Sequence, residues 1–147
     1  MNLNLVERLK HFPWKKLNVE YAIIFGSQLR SPQPHDIDLA VKFKSYSFNS
    51  YLNLLEALSS FLKTREDHID IVVLNREDLP CSLILEVYTR GMLLYAESFE
   101  SFAQEALRRV NVCQDFMKTC RKLGLIEKTL KAVKQHWGSS KPFKHNS

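Results

Sequence analysis

Apolar residues recur every three or four positions at the start of the chain. Leu3, Leu5, Val6, Leu9 and Phe12 fall on one helical face, and Pro13 lies just past its end. The pattern changes at "EYAIIFG" (20–26), a short run rich in aromatic and β-branched residues that predicts a buried strand ending at Gly26. "SQLR" (27–30) predicts a single helical turn before Pro32 and Pro34 force a loop. "HDIDLAVKF" (35–43) alternates apolar and polar residues and predicts a second strand. "SYLNLLEALSSFLKT" (50–64) returns to helical spacing, and "HIDIVVLN" (68–75) predicts a third strand. "REDLPCSLILEVYTRG" (76–91) predicts a helix with Asp78 near its cap, Pro80 in its first turn and Gly91 past its end. "GMLLYA" (91–96) predicts a short final strand.

From Ser98 to about His136 the spacing is helical again. Phe99, Phe102, Ala106, Val110, Cys113, Phe116 or Met117, and Cys120 form one apolar stripe, with Gly124 a candidate break. The expected architecture is α/β (α+β), a mixed sheet of about four strands flanked by helices. Three segments are expected: a domain over 1–97, a helical extension over 98–137, and a disordered basic tail over 138–147. The stripe is longer than a four-stranded core can cover, so its part beyond about Val110 is expected to contact another chain.

Charge sharpens this division. The chain carries +5 overall, but residues 121–147 hold seven Lys or Arg against the single acid Glu127. That +6 against the total of +5 leaves −1 for residues 1–120, so the basic excess belongs to the tail. The tail lacks interleaved aromatics apart from Trp137 and Phe143, so nucleic acid is not the expected partner. No apolar run reaches the roughly 18 residues of a membrane span, and the N-terminus lacks the apolar core of a signal peptide. Cys81, Cys113 and Cys120 are odd in number with no C-x-x-C pair, which predicts free thiols and a cytoplasmic protein.

The candidate chemistry lies in the strands. Asp36 and Asp38 interrupt an apolar run and point the same way, roughly 7 Å apart along the strand. Two carboxylates that close repel unless protonated or neutralised by a cation. Asp70 interrupts the third strand and can share their face if the two strands are neighbours. Three converging carboxylates suit hard Mg²⁺, which takes further ligands from substrate phosphates, and a pair of such ions serves in-line nucleotidyl transfer. Gly26 and Ser27, with Arg30 one turn on, offer backbone N–H groups, a hydroxyl and a guanidinium as an anion site. His35 at a strand start is expected to face solvent.

Taken together, "FGSQLR", "DIDLAV" and "HIDIVVLN" resemble the three signatures of a minimal nucleotidyltransferase (MNT) domain of the DNA polymerase β superfamily, over roughly residues 18–97. The helix from Ser98 resembles the C-terminal helix of MNT antitoxins. The resemblance implies a polymerase-β-like nucleotidyltransferase fold. It implies that Gly26, Ser27 and Arg30 hold the nucleotide, that Asp36 and Asp38 hold two Mg²⁺ ions (or Mn²⁺), and that Asp70 binds the catalytic metal and helps deprotonate the attacking hydroxyl. Ser31 stands where the family often has a second glycine, and His35 precedes the D-x-D where Ser is common. The chain is too short for a separate acceptor-binding domain. The implied reaction is transfer of AMP from ATP onto a tyrosine of a HEPN ribonuclease toxin, with this chain as antitoxin. The alternatives are an antitoxin acting by contact alone, a small-molecule nucleotidyltransferase of the aminoglycoside-modifying kind, and a nucleic-acid protein using the basic tail.

Overall fold

The computed structural model describes residues 3–26 and 36–138. Its elements run α1 (Leu3–Lys10), β1 (Val19–Phe25), β2 (Ile37–Phe43), α2 (Phe48–Leu62), β3 (Ile69–Val73), α3 (Cys81–Leu85), β4 (Met92–Ala96) and α4 (Phe99–Gly138). Each corresponds to a segment that hydrophobic periodicity marks out. The turn expected at 27–30 and the tail from 139 onward lie outside the described residues.

One sheet carries the four strands in the order β3-β2-β1-β4. β1 is antiparallel to both β2 and β4, whereas β2 and β3 are parallel. Side chains alternate between two faces. Ala22, Ile24, Leu39, Val41, Phe43 and Ile69 belong to the larger core, under α1 and α2, with Val6, Leu9, Leu54 and Leu58. Tyr21, Ile23, Phe25, Ala40 and Val72 belong to the opposite face, with Leu83 of α3, Val87 and Phe102 of α4. β1 is therefore covered on both sides, which is why its sequence reads as an unbroken apolar run.

Local chemistry fixes the ends of these elements. The Ser47 hydroxyl accepts from the Ser50 N–H and caps α2, and Lys63 closes that helix in the left-handed region at φ 54°. The buried Trp14 indole donates to the Leu9 carbonyl at 2.8 Å, and its ring meets Phe12 edge-on. Ser98 Oγ accepts from the Ser101 N–H and opens α4.

Three expectations need correction. Asp78 does not cap α3: it pairs with Arg76 in solvent at 3.1 Å, and α3 begins after Pro80 with no side-chain cap. The local Arg76 partner outcompetes the helix N-terminus for that carboxylate. Gly124 does not break α4, because nothing lies within 4 Å of where its side chain would be and a lone glycine costs an exposed helix only about 1 kcal/mol. Only Cys120 is a free thiol, whereas Cys81 and Cys113 are disulfide-bonded. The lack of a C-x-x-C spacing says nothing about cysteines paired by the fold rather than by short chain separation.

Two compact units emerge, Met1–Val110 and Asn111–Ser147. The first holds the sheet and the proximal part of α4, and the described residues of the second, to Gly138, are the remainder of that helix. No described helix is long and apolar enough to cross a membrane.

Candidate active site

The parallel pairing of β2 with β3 decides where the aspartates go. Its register sets Ile37 opposite Ile69, Asp38 opposite Asp70 and Leu39 opposite Ile71. Asp38 and Asp70 are thus lateral neighbours on one face, with their strands about 4.8 Å apart. Both point to the face that carries α3 and α4. Asp36 precedes β2 by one residue and is exposed, with its Oδ1 3.3 Å from Nδ1 of His68. Asp36 is two residues from Asp38 in the chain, yet the described structure turns it toward His68.

Gly26 ends β1 at φ +90°, a conformation that side chains disfavour. A Cβ there would run into the Asp38 carboxylate, lying 3.1 Å from its Cγ and 3.2 Å from its Cβ. Phe25 pairs with Asp38 across the β1/β2 ladder, so the end of β1 and the carboxylate are locked to the same spot. The glycine is required twice, by backbone angle and by the closeness of Asp38.

Electrostatics follow from this crowding. Burial pushes the Asp38 carboxyl above its usual range, and the charges of Asp70 and Asp36, a hydrogen bond with Asp70 and the charge of Glu86 push the same way. Glu86 was not singled out from the sequence. It opens a π-helical turn, Glu86–Arg90, that follows α3 directly. Gly91 closes that turn against β1, where a Cβ would sit 2.5 Å from Ile23 Cγ2 and 3.1 Å from the Ile24 carbonyl oxygen. This tight seat brings the turn close to the sheet, with Glu86 at its start. The sequence offered no signal for it, since a glutamate in a helical segment reads as a solvated face.

Ser27, Arg30 and His35 lie outside the described residues. Among the described residues, no group of three or more His, Cys, Asp or Glu side chains is gathered closely enough to hold a metal ion. A groove of 450 Å³ lies instead along β3 and α3, lined by Ile71, Val73, Leu79, Pro80 and Leu83 among others. It is largely apolar and does not include the aspartates.

Comparisons with known proteins bear on the family and the fold. The family model "Polymerase beta, Nucleotidyltransferase" matches residues 7–100. The chain belongs to that family. Among curated proteins no match was found. Among solved structures, the chain is similar to a variant of the toxin–antitoxin complex MntA-HepT, at 18% identity and a TM-score of 0.60, over 88% of this chain and 99% of that one. It is also similar to a chain of a Shewanella oneidensis complex of a tri-AMPylated HEPN toxin with an MNT antitoxin, at 19% identity and a TM-score of 0.57, over 85% and 98%. A third, a toxin–antitoxin with AMP-PNP, is 19% identical with a TM-score of 0.54, over 88% and 99%. At these identities the likeness establishes the fold. The polymerase-β-like nucleotidyltransferase architecture, with its mixed four-stranded sheet and long C-terminal helix, is therefore settled.

Proposed function

We propose that this chain transfers AMP from ATP onto a tyrosine hydroxyl of a HEPN-type toxin, and so acts as that toxin's antitoxin. The observation that carries the reading is the in-register pair Asp38–Asp70 beside the positive-φ Gly26. A nucleotidyltransferase needs carboxylates and a tight glycine turn at one strand end. The similar chains that stand in toxin–antitoxin complexes, one with a tri-AMPylated toxin and one with AMP-PNP, support the choice of partner and nucleotide.

The donor set fits Mg²⁺. Asp38 and Asp70 are hard oxygen donors held together at a cost that a cation relieves, and Asp36, two residues before Asp38, would turn from His68 to join them. In the reading offered here, Asp36, Asp38 and Asp70 hold the metal, while Gly26, Ser27 and Arg30 bind the triphosphate. The ions, when bound, neutralise phosphate charge and orient the leaving group.

The chain's own residues do the rest. Gly26 lets the end of β1 approach a phosphate without side-chain obstruction. Asp70 accepts the proton of the attacking tyrosine hydroxyl as its oxygen bonds to the α-phosphorus. The bond from that phosphorus to the β-phosphate bridging oxygen breaks, and pyrophosphate leaves. The toxin gains a bulky, charged group at its tyrosine. The exposed distal part of α4 is the surface offered for contact with another chain.

The decisive experiment incubates the chain with a co-purified HEPN toxin, labelled ATP and Mg²⁺. Transfer of label to the toxin, lost with EDTA, is the expected result. Toxin neutralised with no label transferred would replace catalysis by contact.

A further inference from the structure

Most of the exposed apolar residues of α4 fall into two regular series. Phe116, Leu123 and Leu130 recur every seven residues and are 59%, 56% and 63% exposed. Val112, Ile126 and Val133, also exposed, fall on a second seven-residue series that Thr119 completes. The two series interleave at spacings of four and three from Val112 to Val133, which is the a/d seam of a coiled coil. Phe116, Leu123 and Leu130 take a; Val112, Thr119, Ile126 and Val133 take d.

The residue types say more than the spacing. Every d position is β-branched and two of the three a positions are Leu. Leu at a with β-branched residues at d favours bundles of three or four parallel strands over a pair. Met117 and Leu125, at b and c, lie on the outer side of the helix and take no part in the seam. The flanking charges are self-complementary. Lys122 is at g and Glu127 at the following e, the two positions that meet between neighbouring helices in a parallel, in-register assembly. Glu127 is the single acid among the last 27 residues, and it stands where Lys122 of a neighbouring copy would reach it.

We infer that copies of this chain assemble through a parallel, in-register bundle of three or four α4 helices, joined along Val112–Val133. The inference concerns the assembly surface named in the proposed function, and its test needs neither ATP nor toxin, so either reading can fail without the other. The full chain alone is measured by sedimentation equilibrium and multi-angle light scattering at tens of micromolar. The expected mass is three or four times 17.2 kDa. The double variant Leu123→Glu/Leu130→Glu is expected to fall to a single chain, with the circular dichroism of the sheet domain retained. Lys122→Glu and Glu127→Lys are each expected to weaken assembly at least threefold, and the combined exchange to restore it. A wild-type mass of one or two chains overturns the inference. So does an unchanged mass for the double variant, a combined exchange that fails to restore assembly, or an oligomer that appears only when a second protein is added.

Discussion

Asp38 and Asp70 face each other across the parallel β2/β3 pair, each one residue in from the first pair of the ladder. That single register places two carboxylates of segments 32 residues apart on the face beneath α3 and α4. It also makes them costly together, because burial and mutual repulsion hold the Asp38 carboxyl above its ordinary range.

Replacing these charges separates chemistry from folding. Asp36→Asn/Asp38→Asn is expected to leave the melting temperature unchanged or slightly raised at pH 7, and to abolish AMP transfer to the toxin. The sign follows from linkage: a carboxyl whose folded pKa is raised adds stability below the ordinary carboxylate range and loses it as pH rises through the folded value. The variant's relative gain should therefore shrink as pH falls through the raised folded value and vanish by about pH 4, the ordinary carboxylate range. Melting curves from pH 3 to 7, beside a labelled-AMP assay, check both halves. A large loss of stability at pH 7 would mark the aspartates as structural.

Gly26→Ala tests the cradle at the end of β1. The new methyl meets Asp38 and the backbone sits at φ +90°, so about 1–3 kcal/mol of destabilisation is expected. Pairing the change with Asp38→Gly should recover part of that loss. Additive losses in urea unfolding would show that the two sites do not meet.

Metal dependence is read most simply by calorimetry with ATP. Binding is expected to weaken at least tenfold in EDTA and to recover with Mg²⁺ or Mn²⁺. Equal affinity with and without metal would remove the carboxylates from the nucleotide site.

Glu105 supplies a second pH signature on the same sheet face. Burial alone would push its carboxyl up, but hydrogen bonds from Tyr21 at 2.6 Å and Lys42 at 2.9 Å, with the lysine charge, outweigh burial and leave it below the usual range. A lowered carboxylate adds stability above the unfolded pKa and loses it as pH falls through the folded value. Glu105→Gln is thus expected to cost about 1.5–3 kcal/mol at pH 7, with the difference narrowing below about pH 4. Urea titrations at the two pH values measure it.

Arg109 anchors α4 from the other side. Its buried guanidinium donates to the Leu74 carbonyl at 2.7 Å and the Arg76 carbonyl at 2.8 Å, beyond the end of β3. Arg109→Met keeps much of the packing and strands both carbonyls, so about 2–3 kcal/mol is expected to be lost. Hydrogen exchange should quicken over residues 74–78 and the first turns of α4. Uniform quickening across the whole domain would argue against a local anchor.

Arg109 and Glu105 also show where reading the sequence stopped. Period two in "DIDLAV" and "HIDIVVLN" made the strands legible and put Asp38 and Asp70 on definable faces. Their being neighbours depended on strand order, which no local pattern carries. The apolar stripe of α4 pointed to Phe102 and Cys113, and it passed over the polar residues that the helix uses to hold the sheet. The buried Arg109 and half-buried Glu105 are invisible to an apolar count because their partners lie 33 to 84 residues distant. Glu86 was missed for the same reason, its place being set by a π-helical turn that periodicity does not register. His68 beside Asp36 likewise required the strand order.

The Tyr21 hydroxyl donates to Glu105, 84 residues further along the chain. During synthesis at 5–20 residues per second, Tyr21 therefore waits on the order of ten seconds for its acceptor to be made. Until α4 begins to emerge, one face of the sheet has β1 in place without the residues that cover its tyrosine. The nascent domain passes through an interval in which α1 and α2 have sealed one side and the other still exposes Tyr21, Ile23 and Phe25. Ribosome-bound chains truncated at residue 100 should accordingly be captured by hydrophobic-surface probes, and those truncated beyond the exit tunnel's length after residue 110 should not.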